Sequence, residues 1–180
     1  MPAADKIGII KSGTIKRMAR NTFSLSKSQY LKGIQCLKAI WLFKHRPEIA
    51  TPHDDIKLSV FAEGINVGKL ARNIFPNGKL IELENRNFGL ALWQTKNYLE
   101  SLNTSSIFEA AFSSNGLFVM CDILNKTNFG WDIYEVKAST NAKQVHIEDI
   151  AMQYHVLSSK NITINKTYIV HINNNYILED

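Results

Sequence analysis

Asp122 stands in an apolar run with Val119, Met120, Cys121, Ile123 and Leu124, a setting in which a carboxylate is costly unless something compensates its charge. Downstream, Glu135 and Lys137 flank Val136 in a second apolar run. The two-residue period of a strand puts Glu135 and Lys137 on one face and Val136 on the other. Adjacent strands then bring Asp122 beside Glu135. Two carboxylates so placed repel unless a divalent cation or a proton lies between them, and hard oxygen ligands suit magnesium or manganese. A metal held this way polarises a phosphodiester and lowers the pKa of bound water, while a lysine steadies the attacking hydroxide or the charge developing on phosphorus. The chemistry expected of such a set is phosphodiester hydrolysis. Glu109, on the preceding strand, adds a carboxylate that acts as a ligand, directly or through water, or is simply a solvated acid. Gln153 is read as a contact to substrate or metal-bound water, against the alternative of a helix-surface amide.

These residues need strands to carry them. Ile107 to Phe112 reads as a strand, Ser113 to Gly116 as a tight turn and Leu117 to Leu124 as its partner, a hairpin. A third strand follows from Trp131 to Ala138, then a helix from Lys143 to Ser158 behind the cap Ser139-Thr140-Asn141, then a strand from Thr163 to His171. Upstream, helical spacing dominates. One amphipathic helix starts at a serine cap within Ser24–Ser28 and carries Tyr30, Leu31, Ile34, Leu37, Ile40 and Trp41 before His45-Arg46-Pro47 ends it. A turn at Pro52, Asp54 and Asp55 leads to a helix from Ile56 to Phe75, stopped by Pro76-Asn77-Gly78, and a third helix runs from Phe88 to Leu102. Helices, three strands, a helix and a strand predict an α/β fold with a mixed central sheet flanked by helices. Trp41, Trp93, Trp131 and Tyr154 fall at periodic apolar positions and are read as packing residues; His146 and His155 stay outside the catalytic set.

The 180 residues are 45% hydrophobic, enough for one domain with a real core. That domain is placed at 23–180, with a helical part over 24–102 and an α/β core over 105–173. Residues 1–22 read as a basic tail, with Lys6, Lys11, Lys16, Arg17 and Arg20 against the single acid Asp5. No apolar run approaches the roughly 18 residues of a membrane span. Cys36 and Cys121 form no CxxC pair, which argues against a zinc ribbon or a disulfide framework and for a reducing cytoplasm. The net charge of +5 favours a polyanionic partner. Lys69, Arg72 and Lys143, with Lys160 and Lys166, either line a groove for a phosphate backbone or form a solvated surface.

Asp122, the Glu135-Val136-Lys137 tripeptide and this order of elements together resemble the PD-(D/E)XK nuclease superfamily, over roughly Glu109 to His171. Ile107-Phe108-Glu109, Cys121-Asp122-Ile123, Tyr134 to Ser139 and the helix with Gln153 are most similar to RecB-like nucleases and CRISPR-adaptation exonucleases. The resemblance implies a restriction-endonuclease-like core, Asp122 and Glu135 as metal ligands, Lys137 as a catalytic residue and the main-chain carbonyl of Val136 as a further ligand. Leu25 to Tyr30, Cys36, Trp41-Leu42, His45 to Glu48, Gly64, Val67-Gly68, Ala71-Arg72 and Phe75-Pro76 also resemble the opening of an uncharacterised bacterial family that carries this core. Its chains continue past Tyr168–Asn173, so the present chain reads as a fragment or a truncated product, with a further subunit or a missing C-terminal region as partner. Two departures stand out. Gly68 falls near a position where RecB-like enzymes often carry histidine, and Asp149 with Gln153 falls near their Gln-then-Tyr pattern. The three late cysteines that hold an iron–sulfur cluster in related enzymes are absent, so no cluster is expected, and Cys36 is read as a buried small residue.

Three functions are therefore expected to compete. The first is a magnesium- or manganese-dependent deoxyribonuclease, the second a nucleic-acid-binding module that kept the fold without cutting, and the third a partner-binding domain in which the acids and lysine are only an ion-pair cluster. DNA against RNA and endonuclease against exonuclease stay open.

Overall fold

A computed structural model describes residues 25–51 and 55–177. The basic segment 1–22 and the turn residues Pro52 and Asp54 lie outside the described residues. The elements in chain order are β1 (Leu25–Ser26), α1 (Lys27–Gln35), α2 (Leu37–His45), α3 (Asp55–Arg72), β2 (Lys79–Leu80), α4 (Phe88–Glu100), β3 (Ser106–Ser114), β4 (Leu117–Thr127), β5 (Gly130–Lys137), α5 (Gln144–Ser158) and β6 (Ile164–His171). They form an α/β fold with an open, mixed sheet of six strands flanked by five helices.

The path through the sheet is β2-β3-β4-β5-β6, with β1 paired to β4. β4 runs antiparallel to both β3 and β5, and β6 returns parallel to β5. A parallel return needs a crossover; α5 provides it. The β3–β4 turn is tighter than the sequence suggested, because Ser113 and Ser114 stay paired with Phe118 and Leu117. Asn115 and Gly116 alone make the reversal, both at positive φ (51° and 76°), as a two-residue hairpin turn requires. β1 and β2 were not expected, since two residues are too few to show a period. They matter for placement: β1 lies parallel to β4, Leu25 beside Leu117 and Ser26 beside Phe118, so the chain enters α1 next to the strand that carries Asp122.

Where one amphipathic helix was expected at the start, the structure has two. Cys36 is extended (φ −163°, ψ 116°) between α1 and α2. α2 folds back so that Ile40 packs over Gly33, within ordinary contact distance of where a Cβ would stand. Ser26 caps α1 through a reciprocal pair with Gln29.

Most of the core is one cluster that includes Ile107, Ala111, Leu124, Ile133, Ile150, Val156 and Leu157, with Ala91 of α4. A smaller cluster joins Ala71 of α3 to Phe108 and Ile123, with Phe75, Tyr134 and Val136 against them. Glu135 and Lys137 instead reach α5, Glu135 at Gln153 and Lys137 at Asp149, so β5 presents alternate residues to opposite sides as its period demands.

Four packing expectations are corrected. Cys36 is exposed, because the α1–α2 break sits at the surface. Trp41 is 55% and Trp93 61% exposed: Trp41 lies against His45 on α2 itself, and α4 buries Ala91 and Thr95 instead. Tyr154 is 49% exposed while its neighbour Gln153 is fully buried. Each helical residue turns about 100° from the last, so burying Gln153 turns Tyr154 outward. Among the described residues no helix is long and apolar enough to cross a membrane.

Candidate functional site

The β4–β5 ladder ends at the pair Ile123–Tyr134. One step further the register would set Asp122 against Glu135, and there the strands part. In place of the next ladder bond, the Val136 N–H donates to Asp122 Oδ2 at 2.7 Å. The carboxylate therefore caps the opening between the strands with a charge-assisted bond. β5 beyond this point pairs only with β6, Glu135 beside Ile169 and Lys137 beside His171.

Glu135 is 1% exposed and both of its oxygens are engaged. Lys137 Nζ donates to Oε1 at 2.5 Å, Gln153 Nε2 to Oε2 at 2.5 Å, and Lys27 Nζ to both, at 3.0 and 3.1 Å. Asp149, also buried, completes the group: Lys137 reaches its Oδ2 at 2.7 Å, Lys27 its Oδ1 at 3.0 Å and Gln153 its Oδ1 at 3.0 Å. Two ammonium groups and one amide thus bridge two carboxylates. A buried charge needs such pairing to be tolerable.

Glu109 reaches the same region by an unusual backbone. The register of β3 on either side, Phe108 with Ile123 and Ala110 with Cys121, sets Glu109 across from Asp122. Glu109 itself has φ +56°, a conformation that costs a non-glycine residue on the order of 1–3 kcal/mol and persists where surrounding structure imposes it. Its side chain meets Arg72 of α3, Nη2 to Oε1 at 2.6 Å. All these groups except Gln153 line one cavity of about 750 Å³, bounded by α1, α3 and the parted strands.

The electrostatics follow from burial. Desolvation raises Glu135, and the nearby Asp122 and Asp149 add to it, although Lys27 and Lys137 oppose the shift. Desolvation likewise raises Asp122 despite Lys27, and Glu109 despite Arg72. For Asp149 desolvation also pushes upward, but Lys27, Lys137 and its hydrogen bonds outweigh it and hold the carboxyl low. Burial alone would lower both lysines; Glu135 and Asp149 reverse this and raise Lys27 and Lys137 above the usual lysine range. Lys137 is therefore a cation at neutral pH, suited to stabilising negative charge and not to abstracting a proton.

No protein-family model matches the chain, and no curated protein matches it either. What the site can do rests on its own donors. Among the described residues no three His, Cys, Asp or Glu side chains are grouped closely enough to hold a metal ion. Arg72 engages Glu109, the Val136 amide engages Asp122, and Lys27 covers Glu135. The donor chemistry nonetheless fits a hard divalent cation: carboxylates without sulfur or imidazole, two of them, Asp122 and Glu135, side by side and pushed upward by burial, with Glu109 adding to the shift of Asp122 and Asp122 to that of Glu135. Asp122 Oδ1 accepts no hydrogen bond from a described residue. For Glu135 to join it on a metal, Lys27 has to release that carboxylate.

Of the residues singled out in the sequence, Glu109, Asp122, Glu135, Val136, Lys137, Lys69 and Arg72 line the one cavity, and Gln153 lies behind it on Glu135 and Asp149. Gln153 is no surface amide. Lys143 does not line the cavity; it is exposed ahead of α5, and Lys160 and Lys166 line two other clefts. The Val136 group shown at work is its amide. Sequence reasoning assigned no role to Lys27 or Asp149. Asp149 had a signal, since i,i+4 spacing on α5 aligns it with Gln153; Lys27, 108 residues from Glu135, had none.

Proposed function

We propose that this chain is a metal-dependent nuclease with a restriction-endonuclease-like core of the PD-(D/E)XK type, acting on DNA. The observation that carries the reading is the convergence of Asp122, Glu135 and Lys137 where β4 and β5 part, in a cavity that also receives Glu109, Lys69 and Arg72. Asp122 and Glu135 would hold magnesium or manganese, with the Val136 carbonyl and Glu109 as further oxygen donors. When bound, the ion supplies Lewis acidity to the phosphodiester and to a water molecule. Lys137 contributes a fixed positive charge beside the attacked phosphorus, where negative charge grows in the transition state. Gln153 and Asp149 hold Glu135 and Lys137 in place from the buried side. Lys69 and Arg72, on the last turn of α3, offer cations to the substrate backbone.

A second reading has its own support. The pairing of Lys27 and Lys137 with Glu135 and Asp149 satisfies those charges internally, as a structural ion-pair cluster in a nucleic-acid-binding or partner-binding domain would. Manganese titration by calorimetry, with cleavage assays on single- and double-stranded DNA, separates the two. Metal binding and cutting that both disappear in an Asp122→Ala, Glu135→Ala double variant support the nuclease. Metal binding without cutting points to an inactive core, and absence of metal binding in the wild type sinks the catalytic reading.

A further inference from the structure

Lys27 is the first residue of α1, set at the site by the β1–β4 pairing and the Ser26 cap. Its ammonium straddles Glu135, 3.0 Å from Oε1 and 3.1 Å from Oε2, and lies 3.0 Å from Asp149 Oδ1. That is where a cation ligated by the Glu135 carboxylate would sit. A metal ion and the ammonium cannot both occupy that position, and with Lys137 already on Oε1 a further cation beside them adds to the repulsion. Resting on the nuclease reading above, we infer that Lys27 is a displaceable counter-cation of the metal site, which couples metal binding to nucleic-acid binding.

The coupling follows from the charges around the cavity. Its lining carries four acids, Glu109, Asp122, Glu135 and Asp149, and four cations, Lys27, Lys69, Arg72 and Lys137, so it is balanced as it stands. A divalent ion adds two positive charges and takes Glu135 from Lys27, leaving it only Asp149, which Lys137 also holds. The flexible four-carbon stem lets the ammonium leave Glu135, but Asp149 then faces two ammonium groups and the cavity carries an excess of positive charge, so a further anion is favoured. A phosphodiester in the cavity supplies that anion to Lys27 and a ligand to the metal. Metal alone therefore binds against the ammonium, whereas metal with nucleic acid binds with its help, and the effect is reciprocal. Lys137 is different, since it reaches Glu135 from the same strand and keeps Asp149 when Lys27 leaves.

The test is manganese affinity by calorimetry with and without a non-cleavable phosphorothioate DNA oligonucleotide, in wild type, Lys27→Met and Lys27→Arg, with thermal unfolding to confirm folding. The oligonucleotide is expected to tighten manganese binding to the wild type by about 10-fold, within the usual range of coupling between sites. Lys27→Met should bind manganese tightly without the oligonucleotide and gain little from it. Should that variant not fold, Lys27→Arg gives the answer: its forked guanidinium grips a carboxylate harder and should weaken manganese binding. A Met variant, or failing that an Arg variant, with wild-type affinity and wild-type coupling overturns the inference while leaving cleavage and the nuclease reading intact. Coupled binding in a wild type that cuts no unmodified strand does the opposite, and a wild type that binds no manganese removes both.

Discussion

The carboxylate of Asp122 accepts the main-chain N–H of Val136 at 2.7 Å, at the point where the ladder between their strands stops. One side chain thus closes a gap in the sheet and offers its second oxygen to the cavity. Asp122→Ala leaves the Val136 amide without that acceptor and should lower stability by about 1–3 kcal/mol. Asp122→Asn keeps an acceptor oxygen and should lose less. Both should abolish manganese binding and cleavage. Urea unfolding beside a cleavage assay checks this, and an Asn variant that cuts like wild type would remove Asp122 from the chemistry.

Burial, reinforced by Asp122 and Asp149, raises Glu135 from 4.5 to about 7 in the folded chain. Between those values the folded protein keeps a proton that the unfolded chain has lost. Metal-free stability should then fall as pH rises from about 5 to 7, by at most about 1.4 kcal/mol per pH unit from this one group. Asp149, held at about 2, contributes stability that is lost only as pH drops through that lower range, so it does not disturb the window. Because a ligand carboxylate must be ionised, manganese affinity and cleavage should rise over the same window in which stability falls. Thermal unfolding against pH should show the slope in wild type and a flatter profile in Glu135→Gln.

Glu109 occupies the left-handed region at φ +56°. Glu109→Ala and Glu109→Gly both delete the carboxylate and its bond to Arg72, but only glycine relieves the backbone. The Gly variant should be the more stable of the two by about 1 kcal/mol, with equal losses of cleavage. Equal melting temperatures would show that β3 carries no strain there.

Lys69 is exposed on the last turn of α3 and lines the cavity. Lys69→Ala should leave stability within about 0.5 kcal/mol while weakening duplex DNA binding and lowering the salt slope of affinity by about 0.9. Fluorescence anisotropy across a salt series measures the slope; an unchanged slope would remove Lys69 from the proposed DNA contacts.

The strands that carry Asp122, Glu135 and Lys137 were legible because a strand's two-residue period and the apolar neighbours of each acid are local properties of the chain. The helical spacing of α3, α4 and α5 was legible for the same reason. The α1–α2 break was not, because Cys36 leaves the helix only where α2 folds back against Gly33. Trp41, Trp93 and Tyr154 fit an apolar period but lie outward, since a period marks a stripe and only the packed neighbours decide which stripe is covered. Gln153 shows the converse, a polar residue buried because two carboxylates wait for its amide.

Local pattern alone therefore determined an α/β chain with two acids and a lysine on paired strands, the chemistry those types suit and a net charge of +5 that favours a polyanion. Only the tertiary structure decided how the charges are neutralised. Lys27 comes from the far end of the described chain to cover Glu135, Asp149 joins from α5, Arg72 takes Glu109, and β4 parts from β5 at Asp122. Coulombic and hydrogen-bond partners are chosen by proximity in space, which residue spacing does not encode across more than one element.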